Sequence, residues 1–471
     1  MAAEAWWLQL AFVVGLAALL RFSTLTDRSL WLDELKVAVV GLGGLDSAVD
    51  AAKADVSATP LDYALVAASQ EIFGRGEFAV RLPAAIAGVG AVAGLYLLGW
   101  FLAGRGVGLT AAILLAVLPG HFWYSQEARF YSLLAFFTVA STLAFGLAVR
   151  RGSGWLWGAY GVCVALGLYA GYQAAFVVAV HVAAFALGVG LGWWRLPRTS
   201  WLWLGGSLGL AAAAFLPWFL WDNAGASYNY PSPPADAVAQ YLTWSFSFGA
   251  TEVADALPAD GAWYVAGLVF ATSALAGLLA VRRREPLLCV AAASVVALPF
   301  VVLFVVRRQD YFLEERHFVF LLPLASLAVA YATVELIRTR LAAPLGVALL
   351  AVFLLLAALG LGDAFKVEHK REDWRSAVRY LEAEMSEGDR LAPNENAELI
   401  AYYHDFGTVY GVRSAQELSD FADATEGDAW VFTSLREWRS PYWPELEPAL
   451  AEGFSEIDFP GIRIFVRPGG R

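Results

Sequence analysis

The sequence predicts an all-α polytopic membrane bundle that is followed by a small soluble α/β domain. Of the 471 residues, 59% are hydrophobic and only 16% are charged, whereas soluble domains carry about 25% charged residues. Long apolar runs recur from Trp6 to Leu361, and many approach the ~20 residues that a helix needs to cross a bilayer. We therefore expect a transmembrane module over residues 1–361 and a soluble domain over residues 362–471.

About 11 of the apolar runs have the length and composition of membrane spans. The first reads as a retained span, because charge and no small-residue cleavage site follow it. A further segment, Pro60–Gly74, contains Asp62, Gln70 and Glu71, which are costly against lipid, so we expect an interfacial or re-entrant helix there. The predicted spans are Ala5–Phe22, Pro83–Leu102, Val107–Trp123, Phe130–Val149, Trp155–Tyr169, Ala174–Trp193, Trp201–Leu220, Trp263–Val281, Pro286–Val306, Phe318–Leu336 and Pro344–Leu361.

The distribution of arginine predicts how the bundle is oriented, because positive charge in short loops tends to stay in the cytoplasm. With the N-terminus in the cytoplasm, most short-loop arginines lie on the cytoplasmic side. The 41-residue stretch Asp222–Ala262, which has five acids and no Lys or Arg, then lies outside. The stretches Asp27–Pro60, Tyr124–Tyr131 and Arg307–His317, together with the C-terminal domain, share this extracytoplasmic face. We therefore predict a multi-pass protein of the cell membrane whose polar stretches gather on one side.

The net charge of −11 belongs almost entirely to the C-terminal domain, since Asp363–Arg471 contains 22 acidic and 12 basic side chains. Such a surface disfavours nucleic acid as a partner. A helix after Asp373, short apolar runs at Ala429–Thr433 and Ile462–Val466, and a helix over Pro444–Gly453 predict an α/β domain. No nucleotide-binding glycine pattern occurs, so we interpret the domain as an acceptor-binding or structural cover.

The heptapeptide LWLDELK, Leu30–Lys36, places two adjacent carboxylates, Asp33 and Glu34, shortly after the first predicted span. One interpretation is structural, because acids in the first turn of an interfacial helix interact favourably with the helix dipole. The other is a general base, and also a candidate divalent-cation ligand, because a carboxylate in a loop folded onto helix ends can stay ionised while partly desolvated. The residues themselves leave both interpretations open.

The stretch HFWYSQEARFYSLL, His121–Leu134, combines Glu127 and Arg129 with a glutamine and several aromatic residues. An aromatic belt at the membrane interface explains the rings, and Glu127 could simply pair with Arg129. A belt does not explain why the glutamine, the glutamate and the arginine occur together, and on one helix Glu127 and Tyr131 would lie one turn apart. The candidate pocket residues of this stretch are His121, Tyr124, Gln126 and Tyr131.

The stretch RRQDYFLEERHF, Arg307–Phe318, concentrates arginine on the side of the membrane where the predicted orientation places little positive charge. These arginines either pair with Asp310, Glu314 and Glu315 on a solvated face or bind an anion at the bilayer surface. Arginine suits the second role, because its planar fork can hold two phosphate oxygens at once. The phosphate-binding candidates are Arg307, Arg308, Arg316 and Arg129, with His317 as a further pocket residue.

Taken in order along the chain, these stretches resemble the GT-C glycosyltransferases and, within them, the protein-O-mannosyltransferase-like family (glycosyltransferase family 39), which includes aminoarabinose transferases. The resemblance covers most of the chain, and WLDE followed by YSQEARFYSLL is its specific part. The similar segments are WLDE, TPLDYALVAASQEIFGRGEFAVRLPAAIAG, GVGLTAAILLAVLPGHFWYSQEARFYSLL, ERHFVFLLPLASLAVA and REDWRSAVRYLEAEMSEGDR.

The resemblance implies an enzyme that moves a sugar from a polyprenyl-phosphate lipid to a hydroxyl of a glycan, lipid or protein on the extracytoplasmic face. It implies that Asp33 is the catalytic carboxylate, with Glu34 beside it and Glu127 as a second acidic position. We hypothesise that Asp33 is the base for the acceptor and that arginines stabilise the departing phosphate. One base and direct displacement predict inversion, although Glu127 leaves a retaining double displacement open.

Two features depart from the family pattern. Ala58-Thr59-Pro60 stands where relatives often carry His-Pro-Pro, and Asp62 replaces an apolar or aromatic residue. The second departure is Lys36, at a position that is often small in relatives. Both differences concern the substrate contacts of this part of the first loop.

Two other classes of protein compete with the enzyme. A transporter or flippase for a lipid-linked sugar should place ionisable groups at mid-membrane, whereas the predicted spans are nearly free of charge. A structural scaffold gives no reason for acids and arginines to gather on one face. The five histidines show no zinc-site spacing, and a divalent cation on Asp33 and Glu34 stays open.

Overall fold

The computed structural model describes residues 6–54, 58–222, 233, 236–247, 261–309, 314–366, 371–435 and 437–469. Two compact units divide the chain. The first consists of Met1–Ser23, Leu45–Val66 and Arg81–Phe365, and the second of Thr24–Gly44, Ala67–Val80 and Lys366–Arg471. The second unit therefore joins the C-terminal part of the chain to two stretches from its N-terminal part. The predicted division into two domains between residues 361 and 362 stays a prediction.

Helices dominate the described part of the chain. In order, they are α1 (Trp6–Phe22), α2 (Leu32–Gly41), α3 (Gly44–Ala54), α4 (Pro60–Phe73), α5 (Glu77–Ala103), α6 (Arg105–Val117), α7 (Pro119–Tyr124), α8 (Tyr131–Arg151), α9 (Gly154–Ala170), α10 (Ala174–Gly190), α11 (Thr199–Asp222), α12 (Ala237–Ser247), α13 (Gly261–Arg283), α14 (Pro286–Gln309), α15 (Leu322–Arg338), α16 (Ala343–Ala364), α17 (Trp374–Glu384), α18 (Ala397–Tyr403), α19 (Ala415–Asp423) and α20 (Trp443–Gly453). A 3-10 helix, Glu315–Leu321, precedes α15.

The predicted fold class is confirmed. Among the described helical segments, seven are long and apolar enough to cross a membrane by length and composition, namely α5, α8, α11, α13, α14, α16 and the segment Arg316–Arg338, in which the 3-10 helix continues into α15. The other predicted spans fall on the shorter apolar helices α1, α6, α9 and α10. The segment predicted as an interfacial or re-entrant helix forms α4, and its place relative to a membrane stays a prediction.

Helix α15 lies at the centre of the first unit. Every residue from Leu322 to Thr333 is buried, which is the pattern of a helix that is apolar on all sides. It packs against α6, α13, α14 and α16. Its burial shows that these helices form a bundle with a common core rather than a row.

One predicted span, Val107–Trp123, is wrong in detail, because it breaks into α6 and α7. Leu118 is extended, with φ −66° and ψ 119°, and Pro119 begins α7. The residue before a proline is pushed out of the helical region, and proline has no N–H to continue the helical hydrogen bonds. The break redirects the chain just before the stretch that carries Glu127.

The expectation that Glu127 and Tyr131 share a helix is also wrong. Residues 125–130 form an irregular turn, and α8 begins at Tyr131. The Ser132 hydroxyl donates to the carbonyl of Tyr124 at 2.8 Å, and the Arg129 N–H donates to the carbonyl of Glu127 at 2.8 Å. Side chains of this turn therefore take their directions from local hydrogen bonds and not from helical periodicity.

The second unit contains a four-stranded sheet in the order β1-β2-β4-β3, with β1 (Arg390–Ala392), β2 (Ala429–Ser434), β3 (Ser455–Phe459) and β4 (Ile462–Arg467). Strand β2 is buried at every residue. It pairs with β1 in parallel and with β4 antiparallel, and β4 pairs antiparallel with β3. The predicted small α/β domain is therefore confirmed.

Helix α17 begins as the sequence predicts. Asp373 is its N-cap, and the Asp373 carboxylate accepts a hydrogen bond from the Ser376 N–H at 3.2 Å. Such a cap satisfies a backbone donor that has no partner within the helix. The predicted helix over Pro444–Gly453 is α20.

Candidate functional site

Asp33 and Glu34 lie in the first turn of α2, in the second unit. The Asp33 side chain is 23% exposed, and its Oδ1 lies 3.9 Å from Nζ of Lys36. Glu34 is fully buried, and its Oε2 accepts a hydrogen bond from the Trp31 N–H at 3.3 Å. The two carboxylates therefore differ in character. Glu34 fits the structural interpretation, while Asp33 combines partial burial with access, as an ionised base requires.

Glu127 and Arg129 lie in the turn between α7 and α8, in the first unit. Glu127 is buried, and its Oε1 accepts a hydrogen bond from Nε1 of Trp123 at 2.8 Å. Arg129 is half-buried, and its Nη1 lies 3.4 Å from the hydroxyl of Tyr63 on α4. Its guanidinium also lies 5.8 Å from the centre of the Tyr63 ring. The turn thus holds a carboxylate and a guanidinium in fixed orientations.

A buried arginine that sequence motifs do not single out anchors the same turn. Arg21, in the last turn of α1, is fully buried, and its Nη1 donates to the carbonyl of Ala116 at 3.1 Å. Its Nη2 lies 2.7 Å from Nδ1 of His121, and its own carbonyl accepts from Nε2 of Gln126 at 2.8 Å. His121 and Gln126, predicted as pocket residues, therefore both contact Arg21.

Tyr124 and Tyr131 belong to a buried aromatic cluster. Their ring centres lie 4.9 Å apart in an edge-to-face arrangement, and the Tyr124 ring also lies 5.3 Å from that of Trp244 on α12. Edge-to-face pairs add to the free energy gained from burial alone. The cluster fixes both ends of the turn, so that the backbone of Gln126, Glu127 and Arg129 is supported from α7, α8 and α12.

The predicted phosphate-binding stretch falls partly outside the described residues, including Asp310 and the side chains of Arg308 and Glu315. Arg307 is exposed at the end of α14. The Arg316 Nε lies 2.8 Å from Oε2 of Glu314, as the ion-pair interpretation expects. Nδ1 of His317 accepts from the Glu314 N–H at 2.9 Å and so closes the first turn of the 3-10 helix. The predicted substrate roles of these residues stay predictions.

The structure also bears on the cation hypothesis. Within the described ranges, no group of three or more His, Cys, Asp or Glu side chains could hold a metal ion. Glu34 uses one carboxylate oxygen to hold the Trp31 N–H, which leaves Asp33 as the more accessible ligand. A divalent cation on these two residues stays a hypothesis from sequence.

Residues 57–221 match the family model of dolichyl-phosphate-mannose-protein mannosyltransferases, a range that contains Tyr63, Glu127 and Arg129. No curated protein sequence matches the chain.

Several solved structures share the fold. The oligosaccharyltransferase of Archaeoglobus fulgidus, solved with zinc and sulfate, aligns with a TM-score of 0.59 and 13% identity over 97% of this chain and 72% of that chain. ArnT from Cupriavidus metallidurans in the apo state aligns with a TM-score of 0.58 and 14% identity over 100% of both chains. ArnT bound to undecaprenyl phosphate aligns with a TM-score of 0.50 and 14% identity, also over 100% of both chains.

The chain therefore has the fold of these GT-C glycosyltransferases, and seven of its described helical segments are long and apolar enough to cross a membrane. The resemblance that the ordered motifs predict is confirmed. Within this class, the likeness to mannosyltransferases extends to the segment that carries the polar turn between α7 and α8.

Proposed function

We propose that the protein is an integral membrane glycosyltransferase that moves a sugar from a polyprenyl-phosphate donor to an acceptor hydroxyl at the extracytoplasmic face of the cell membrane. The match to the mannosyltransferase family model carries the proposal, because it spans the buried Glu127 and the oriented Arg129. The likeness to ArnT over the full chain supports a donor of the polyprenyl-phosphate type, since ArnT was solved with undecaprenyl phosphate.

Asp33 is the general base in this proposal. It removes the proton from the acceptor hydroxyl as the oxygen forms its bond to the anomeric carbon. The partial exposure of Asp33 supports this role, because an acceptor must reach its carboxylate.

Arginine stabilises the departing lipid phosphate, whose charge grows as the bond to the sugar breaks. Arg129 is the best candidate among the predicted arginines. Its guanidinium is held against the Tyr63 hydroxyl and ring, so its planar fork is oriented before the donor binds. Arg316 is partly neutralised by Glu314 and is the weaker candidate.

Direct displacement by an acceptor that Asp33 activates inverts the configuration at the anomeric carbon. A retaining route needs a second carboxylate close enough to act as a nucleophile. Glu127 is buried and accepts a hydrogen bond from Trp123, which supports a structural role for it. If Glu127 is structural, it does not supply the second carboxylate, and the transfer inverts.

The test is a donor-consumption assay on the purified full-length protein in lipid nanodiscs. We would supply polyprenyl phosphates that carry labelled hexoses or pentoses, with an envelope extract as the source of acceptors. We expect the label to leave the lipid fraction for at least one sugar and free polyprenyl phosphate to accumulate. An EDTA arm, followed by Mg²⁺ or Mn²⁺ add-back, tests the cation hypothesis.

The same material distinguishes the transporter alternative. Liposomes with the lipid-linked sugar on one leaflet would report movement through the accessibility of the sugar to an impermeant oxidant. Sugar that changes leaflet while it stays bound to its lipid would contradict the proposed transfer and would favour a flippase.

A further inference from the structure

The segment REDWRSAVRYL, which belongs to the family resemblance but has no assigned role, meets the carboxylate-bearing loop within the second unit. Oε2 of Glu372 accepts a hydrogen bond from the Leu32 N–H at 2.8 Å. Leu32 is the first residue of α2 and the neighbour of Asp33. The first N–H groups of a helix have no partner inside the helix. Glu372 therefore caps α2 from a position 340 residues away.

Glu372 is itself held in place from two directions. Its Oε2 also accepts from Nε1 of Trp374 at 3.0 Å, and Trp374 is fully buried. The Asp373 N–H donates to the carbonyl of Pro460 in the turn between β3 and β4 at 2.9 Å. Gly461 in that turn has φ +65°, and a Cβ there would lie 2.8 Å from Cγ of Glu372. The sheet and α17 thus fix the carboxylate that meets α2.

Neighbouring contacts hold the chain just before Asp33. The Arg375 N–H donates to Oγ of Ser29 at 3.1 Å, and the hydroxyl of Tyr403 accepts from the Leu30 N–H at 3.1 Å. The guanidinium of Arg371 lies 4.0 Å from the centre of the Trp31 ring. Each residue from 29 to 32 therefore has a partner in the C-terminal part of the chain.

The backbone before α2 is also bound through ionic groups. Arg375 donates through Nη2 to the carbonyl of Asp27 at 2.8 Å and through Nη1 to Oε2 of Glu77 at 2.6 Å. The Tyr403 hydroxyl in turn donates to Oε1 of Glu77 at 2.9 Å. Burial raises the pKa of Tyr403, and the nearby Glu77 carboxylate adds to the rise. The phenol therefore stays neutral and able to donate at neutral pH.

The charge of Asp33 also acts on the Glu372 carboxyl. Burial is the main cause that raises the pKa of Glu372, and the negative charge of Asp33 raises it further, while hydrogen bonds from Trp374 and Leu32 lower it. Glu372 contacts α2 through the backbone N–H of Leu32 and not through the Asp33 side chain.

We propose that Glu372 is a positioning residue for Asp33: its carboxylate caps the start of α2 and thereby sets the orientation of the base. The inference rests on the proposed function in giving Asp33 the role of base. The C-terminal part of the chain thereby contributes to the transfer step itself, beyond binding the acceptor or covering the site.

The test compares Glu372→Ala with Glu372→Gln in the full-length protein. Alanine removes the acceptor for the Leu32 N–H, whereas the glutamine carbonyl can replace it. Hydrogen exchange at the start of α2, followed by mass spectrometry, should become about tenfold faster in the alanine variant, as expected for one lost hydrogen bond, and should return toward the wild-type rate in the glutamine variant. Exchange in β2 and β4 should not change in either.

Kinetics supply the second readout. With the donor identified in the consumption assay, kcat should fall about 10- to 100-fold in Glu372→Ala, because a misplaced base loses its alignment, while KM for the donor stays within about twofold. Glu372→Gln should restore most of kcat. Glu447→Ala is the matched control, since Glu447 is a half-exposed acid of the same compact unit that pairs with Arg463.

Two results would overturn the inference: unchanged exchange at the start of α2 in Glu372→Ala, or faster exchange there with a wild-type kcat. If Glu372→Ala does not fold, Trp374→Phe takes its place, because it keeps a ring but removes the Nε1 donor that holds Glu372. Wild-type exchange and kcat in Trp374→Phe would equally contradict the inference. Failure of the proposed function looks different from failure of this inference. In that case neither the wild type nor any variant would consume donor.

Discussion

At the scale of single residues, the polar turn that carries Glu127 depends on a charge buried in the bundle. Arg21 donates to the carbonyls of Ala17 at 3.3 Å and Ala116 at 3.1 Å. Ala116 lies in the last turn of α6, where carbonyl groups without helical partners carry partial negative charge. The helix end thus offsets part of the cost of burying a guanidinium. Arg21 also links α1 to α6 and to His121.

Asp33 is the residue on which transfer depends most directly. We predict that Asp33→Asn lowers the turnover of the labelled donor about 10²- to 10⁴-fold, because the amide cannot accept the proton of the acceptor hydroxyl. The protein should fold normally, since Asp33 is partly exposed and the cap on α2 comes from Glu372. The measurement is release of label from the lipid, with thermal unfolding as the check on folding.

Asp46→Asn serves as the control for the loss of one negative charge. Asp46 lies in the first turn of α3 and is exposed, and it has no role in the proposed site. It should leave turnover unchanged. A folded Asp33→Asn protein with wild-type turnover would remove the base from the mechanism.

The sequence predicts some of these residues and not others, for physical reasons. Acids early in a helix follow from the dipole, so Asp33 and Glu34 at the start of α2 could be expected. Arg21 could not, because a lone arginine at the end of a span usually extends its charge to the interface. Its burial depends on Ala116 and His121, which lie 95 and 100 residues away. The capping role of Glu372 is hidden for the same reason.

At the scale of elements, hydropathy locates the helices well and their ends poorly. The span predicted to begin at Pro83 begins at Glu77 in α5, because Glu77 and Arg81, although charged, are buried. A hydropathy average assigns such charged residues to a loop. Conversely, the span predicted from hydropathy continues across Pro119, because the residues around that break are apolar. The break depends on backbone geometry at Leu118, which a hydropathy average does not detect.

The approach of α16 to the break between α6 and α7 gives a prediction about stability. A Cβ at Gly360 would overlap the carbonyl of Ser247 and lie 2.7 Å from Cγ of Pro119. We expect Gly360→Ala to destabilise the protein by about 1–3 kcal/mol, the usual cost of overpacking. Thermal unfolding of the purified protein in detergent measures the effect.

Gly362→Ala is the matched control on the same helix. No heavy atom lies within 4 Å of a Cβ built there, and alanine is favoured over glycine in a helix by about 1 kcal/mol. It should be neutral or slightly stabilising. Equal effects of the two substitutions would contradict the close packing of α16 on Ser247.

At the scale of the whole molecule, one compact unit combines stretches that lie far apart in the sequence. The sequence predicts a linear split, with the soluble part after Leu361. In the structure, Thr24–Gly44 and Ala67–Val80 belong to the same unit as the C-terminal part of the chain. Pairs such as Glu77 and Arg375, which are 298 residues apart, account for this grouping. Composition reports the polarity of a segment but does not identify its partner.

The orientation across the membrane is the last prediction, and it decides where the chemistry takes place. Short-loop arginines favour a cytoplasmic N-terminus, which places Arg340 in the cytoplasm and the C-terminal domain outside.

Single cysteines at Arg340 and at the exposed Glu382 would be introduced after the two native cysteines, Cys163 and Cys289, are replaced by alanine. An impermeant maleimide should label Glu382→Cys in intact cells and Arg340→Cys only after permeabilisation. The reverse pattern would place Asp33 and its cap, which belong to the same compact unit as Glu382, in the cytosol. A donor that presents its sugar to the extracytoplasmic face could not then be the substrate.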